Sequence, residues 1–127
     1  MSQKQRPHVL IINEKHGVPE DALPFLGKYY GDVEAHKITS YRGLEQSLKE
    51  GINQFSLVIA TASFVEYDLY ANWKQILHQI LRHPDAPPII MVSKSQGFLD
   101  NLKGIDDRLH LVNTPEECAE LVEQLLF

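Results

Sequence analysis

A single cysteine, Cys118, is present in the 127 residues, so no intramolecular disulfide can form, and its place on an apolar helical face reads as a buried thiol. Basic residues are the minority, 12 against 17 acids, and they form no run; with a net charge of −5 and a pI of about 5.6 this argues against a phosphate-backbone binder. No apolar run approaches the roughly 18 residues of a membrane helix. The polar opening Met1-Ser2-Gln3-Lys4-Gln5-Arg6 carries no signal-peptide pattern, so a cytoplasmic protein without membrane contact is expected. A Gly-rich phosphate loop is missing as well: Asn13-Glu14-Lys15-His16-Gly17 holds one glycine, which disfavours dinucleotide binding. There is no internal repeat and no low-complexity tract.

What the chain does contain is enough apolar material for one domain over residues 1–127, with 1–7 as a polar tail. At 43% hydrophobic and 23% charged it can bury about 70% of its unfolded surface. The runs 8–13, 56–61 and 89–93 are almost wholly aliphatic, the pattern of strands covered on both faces, and 33–38 alternates as a strand nearer a sheet edge does. A fifth, shorter strand is expected at 109–112.

Helical periodicity fills the gaps. Pro19 with Glu20 and Asp21 opens a first helix whose inner face is Leu23, Leu26 and Tyr30, ended by Gly31-Asp32. Tyr41, Leu44 and Leu48 mark a second, closed by Gly51. Trp73, Ile76, Leu77, Ile80 and Leu81 mark a third that stops at His83-Pro84-Asp85. Phe98, Leu99 and Leu102 suggest a short fourth before Gly104. Thr114-Pro115-Glu116-Glu117 is a capping box opening a fifth, with Cys118, Leu121, Val122 and Leu125 inward.

Five strands alternating with five helices imply a three-layer (βα)5 α/β fold, a parallel sheet with helices on both faces. Burial concentrated in strands one, three and four favours the flavodoxin-like order 2-1-3-4-5. That order sets the carboxyl ends of strands one and three side by side, so Asn13, Glu14 and Thr61 are expected to line one crevice.

At this level the chain resembles the receiver domain of bacterial response regulators, the CheY-like fold, over nearly all its length. The run 9–14 is similar to the family's first strand and its Mg²⁺-holding acids, although only Glu14 is acidic. The run 56–61 resembles the strand leading to the phosphoacceptor aspartate, with Thr61 in that place. Ser93 stands where the family has a Thr or Ser that contacts the phosphoryl group, and Thr114 stands where its lysine precedes a proline. The resemblance implies a degenerate phosphorylation pocket of Asn13, Glu14, Thr61, Ser93 and Thr114. Aspartyl phosphorylation needs a carboxylate nucleophile beside Mg²⁺, and a threonine with no base beside it does not replace one. At most a weak Mg²⁺ site remains at Glu14, and no cofactor is expected.

Each of these residues also has a plainer reading. Thr61 and Ser93 can bond the backbone at strand ends, and Thr114 suits a helix cap. The six histidines include no i, i+4 pair on a helix and no cysteine partner, so no transition-metal site is expected from spacing. Phe64, Tyr67, Tyr70 and Trp73 read either as a recognition surface or as a loop folded onto the sheet. The expected function is a phosphorylation-independent signalling module, non-enzymatic, that contacts a protein partner or an output domain and binds no nucleic acid itself. By family resemblance its contact or homodimer face is the fourth helix, fifth strand and fifth helix, with Phe98, Leu102, His110, Glu116 and Glu120 as its residues. The apolar end Leu125-Leu126-Phe127 is consistent with packing on a partner or with a following output domain. The alternative is a nucleotide or metabolite sensor using the vacated crevice.

Overall fold

The computed structural model of the chain describes residues 6–12, 26–38, 46–47, 49–61, 77–93 and 96–127. Five parallel strands form one sheet in the order β2-β1-β3-β4-β5: β1 His8–Ile12, β2 Glu34–Ile38, β3 Leu57–Thr61, β4 Ile89–Val92 and β5 Leu109–Val112. This is the flavodoxin-like order that the burial pattern implies.

The central strands are apolar throughout because both their faces are covered. Leu10, Ile12, Val58, Ala60, Ile89 and Met91 join one cluster, packed beneath Leu77, Ile80 and Leu81 of the helical residues 77–81 and beneath Phe98, Leu99 and Leu102. Their strand neighbours Val9, Ile11, Leu57, Ile59, Ile90 and Val92 join a second cluster under Leu26, Cys118 and Val122. Alternation of side chains along each strand therefore builds both cores at once. Each fully buried Leu or Ile contributes about 1.5–3 kcal/mol of transfer free energy, so the sheet is the main source of stability. β2 lies at an edge, and Glu34, Ala35 and His36 are exposed.

Helix boundaries follow local chemistry. The C-terminal helix Pro115–Leu126 has Thr114 at its N-cap and proline at its first position, with Cys118 and Val122 buried. Gly51, at φ +113°, closes the helix before it through its N–H bond to the Ser47 carbonyl (3.1 Å). Arg108 secures the end of the helix at 77–81: Nη1 donates to the His83 carbonyl (2.9 Å) and Nη2 to that of Leu81, while Asp106 grips the same guanidinium.

One expectation needs correction. The first helix does not run as an α-helix from Leu26 through Tyr30; residues Gly27–Asp32 form a 3₁₀ helix that begins with Gly27 at φ +57°. A left-handed residue cannot continue a right-handed helix, and only glycine takes this conformation without strain. Its hydrogen also faces Ala119 on the C-terminal helix, where a Cβ would come within 3.1 Å of the Ala119 Cβ. Leu26 is buried as expected. Pro19, Leu23, Tyr41, Leu44, Leu48, Trp73, Ile76 and the aromatic segment from Phe64 to Tyr70 lie outside the described residues.

Candidate functional site at the carboxyl ends of the strands

Register sets the site. Thr61, the last residue of β3, lies beside Val92, and Val92 lies beside Val112, so the carboxyl ends of β3, β4 and β5 finish at one level. The backbone of Ser93 continues this line, its N–H bonding the Val112 carbonyl at 3.1 Å, and Ser93 is 2% exposed. Asn13 and Glu14 lie outside the described residues, as does the side chain of Thr61.

Asn113 is the residue that sequence reasoning passed over. Its Nδ2 donates to the Ser93 carbonyl (3.2 Å) and to Gln96 Oε1 (3.3 Å), tying the end of β4 to the end of β5 and to the short helix Gln96–Asp100. An amide one position before the proline-capped helix start is the signal that could have found it. Thr114 beside it is committed to the helix. Its Oγ1 accepts the Glu117 N–H at 3.2 Å and donates to Glu117 Oε1 at 3.2 Å. In the usual capping box the carboxylate returns to the cap's own N–H; here it meets the hydroxyl, and the threonine is held from both sides.

The lateral surface beside β5 is the second region of interest. β5 ends the sheet, and along it runs a groove of about 520 Å³ lined by Leu109, His110, Leu111, Lys103, Glu120 and Leu121 among others. His110 is half-buried, and Glu116 and Glu120 are exposed, so these three residues of the expected contact face are accessible. Phe98 and Leu102 are not. They are 7% and 2% exposed and pack into the core with Leu99, because the fourth helix turns its apolar side to the sheet. The accessible side of that element is Gln96, Gly97, Asp100 and Lys103, the last two joined by an ion pair at 3.2 Å.

Tyr29 donates to Glu123 Oε1 (2.8 Å) on the C-terminal helix and stacks on Phe127 at a centroid distance of 4.4 Å, fastening the 3₁₀ segment to that helix. Burial pushes the Cys118 thiol up to about 12, which marks it as a packing residue and not a nucleophile. Among the described residues no three or more His, Cys, Asp or Glu side chains gather as a metal-binding group, and no helix is long and apolar enough to cross a membrane.

A solved structure shares this architecture. It is the crystal structure of a protein from Burkholderia pseudomallei provisionally described as pilus assembly-related, with a TM-score of 0.62 over 98% of this chain and 92% of its own. Sequence identity is 12%, so the likeness establishes a common fold. No protein-family model matches the chain, and no curated protein matches it in sequence.

Proposed function

We propose that this chain is a receiver-like protein-interaction module that works without phosphorylation and without enzymatic activity of its own. The observation that carries the reading is Thr61: a parallel sheet of receiver order ends its third strand, where that family keeps a phosphoacceptor carboxylate, in a threonine. Thr114 supports it, since the residue in the lysine's place is a neutral helix cap whose hydroxyl already bonds Glu117. Phosphoryl transfer depends on charge neutralisation around the transferred group, and neither residue supplies it.

Output then rests with the surface beside β5. His110, Glu117 and Glu120 line it together with Leu109, Leu111 and Leu121, apolar side chains with polar neighbours along the free edge of β5, and Glu116 is exposed on the same helix; contact surfaces mix apolar and polar groups in this way. A second copy of the chain or a separate signalling protein is the partner class. The description of the structural neighbour as pilus assembly-related fits a module that holds a place within a multiprotein assembly.

The test is an amide spectrum recorded with and without Mg²⁺ and beryllofluoride, which mimics a phosphoryl group on a receiver aspartate. The expected spectrum is unchanged at Thr61, Ser93 and Asn113. Specific, saturable shifts at those three positions would overturn the reading.

A further inference from the structure

Two histidines far apart in sequence meet on the sheet. His8 opens β1 and His36 lies inside β2, and because Leu10 is the register partner of His36 the two imidazoles reach each other diagonally across the parallel pair. His8 Nδ1 and His36 Nε2 are 2.8 Å apart. The ring centroids are 5.0 Å apart and the ring planes differ by 22°. A nitrogen contact that short with centroids that far apart means the rings meet edge to edge, with the two nitrogens between them, and do not lie over one another. One nitrogen donates a proton and the other accepts it.

We propose that this pair is a binding site for a late first-row divalent cation, Cu²⁺ first, which takes both neutral imidazoles as ligands; the ring that donated the shared proton gives it up to water and is protonated on its other nitrogen, so no net proton is lost. Imidazole nitrogens bind such ions at about 2.0–2.1 Å, so two neighbouring ligands of a tetragonal ion stand about 2.9 Å apart and two ligands of a tetrahedral ion about 3.3 Å apart. The 2.8 Å between the two nitrogens is the length of their hydrogen bond, and it already brings them to about the separation that two neighbouring ligands of a tetragonal ion need; Cu²⁺ comes first because it heads the affinity order of the late first-row ions for imidazole. In the hydrogen-bonded pair both nitrogens point along the line between them, so each ring must turn by about 45° to aim at one tetragonal ion; both residues are exposed, so nothing buried must move.

The surroundings hold the pair without crowding it. The His36 ring stands edge-on to Phe55, centroids 5.4 Å apart at 72°, and Phe55 is itself anchored in the core. Glu34, opposite His8 in register, pairs with Arg6 at 3.5 Å and is not counted as a ligand. The remaining coordination positions belong to water. The site lies on the outer strand pair, away from the ends of β3 and β4 where Thr61 and Ser93 sit, and it is independent of the signalling reading.

The experiment is a calorimetric titration of the tag-free chain with Cu²⁺, Ni²⁺ and Zn²⁺, repeated on His8→Gln, His36→Gln and the control His83→Gln. Cu²⁺ is expected to bind at one equivalent, more tightly than Ni²⁺ or Zn²⁺, and each pair variant is expected to weaken Cu²⁺ binding about tenfold or more, since a chelate loses its second, intramolecular contact. The His83 control is expected to match the wild type. An independent readout is paramagnetic broadening by Cu²⁺ in the wild type, expected to centre on residues 8–10 and 34–38. Copper affinity unchanged in both pair variants, or broadening centred elsewhere, overturns the proposal.

Discussion

Replacing Thr114 decides between its two readings, as a remnant of a phosphorylation site and as a structural cap. In Thr114→Ala the Glu117 N–H loses its acceptor and the Glu117 carboxylate loses the hydroxyl it meets at 3.2 Å. Removing a Thr or Ser N-cap costs about 0.5–2 kcal/mol, typically about 1. Pro115 already removes one of the orphan N–H groups at this helix start, so the loss is confined to the Glu117 bond and lies near the middle of that range. For a chain of this size 1 kcal/mol corresponds to a fall of roughly 3–5 °C in Tm. Urea unfolding followed by circular dichroism measures it, with Thr114→Ser and Thr114→Asp as variants that keep an acceptor oxygen and should stay close to wild type. Thr114→Lys, the residue type that the receiver family carries at the corresponding place, should lose as much stability as alanine. An alanine variant within about 0.3 kcal/mol of wild type, below the smallest measured cap losses, would refute the cap.

Other consequences are open to the same tools. Arg108→Ala removes the donors to the Leu81 and His83 carbonyls and should cost about 1–3 kcal/mol in urea unfolding, since bonds from a charged donor to backbone are worth more than neutral ones. The Arg108 side chain, and then its backbone N–H, hold the Asp106 carboxyl down at about 2, below its ordinary 3.8. That contribution is present above the ordinary value and is lost as the pH falls through about 2. The Tm difference between wild type and Asp106→Asn should therefore narrow over this acid window, and a constant difference would contradict the ion pair. Gly27→Ala should destabilise by about 1–2 kcal/mol, from left-handed backbone strain together with the 3.1 Å approach to Ala119. The buried Cys118 thiol, pushed up to about 12, should resist a thiol-specific disulfide reagent in the native state and react at once in urea; rapid native labelling would mean that the C-terminal helix opens.

The sheet was legible because burial on both faces leaves a direct mark. Val9 to Ile12, Leu57 to Ala60 and Ile89 to Val92 are apolar at every position, and a strand can afford that only at the centre of a covered sheet. The Thr114 cap was legible for a similarly local reason, since a cap is a matter of a few neighbouring residues. What depends on distance along the chain was not. The interruption falls at Gly27, whose left-handed backbone lies against Ala119, more than ninety residues away, and no periodicity around Gly27 encodes that contact. The pairing of His8 with His36 depends on how two parallel strands are set in register, and a spacing rule for one helix is blind to it.

The contact face shows the same limit from another side. A family resemblance points to elements, and an element has two sides. Phe98, Leu99 and Leu102 recur at the spacing of one helical face, and in a fold that covers both sides of its sheet such a face goes inward, where these three are found. The outward side of the same element is polar. Apolar contact for a partner beside β5 would therefore have to come from Leu109 and Leu111, which lean toward one core cluster, and Leu121, which leans toward the other, all of them half-buried along the edge of the sheet. That narrows the proposed face from a helix–strand–helix surface to a strand–helix groove lined by Lys103 and Glu120 among others. A charge reversal at Glu120 is then the sharper test of the proposed partner binding than any change at Phe98 or Leu102, whose replacement would first cost the domain its core.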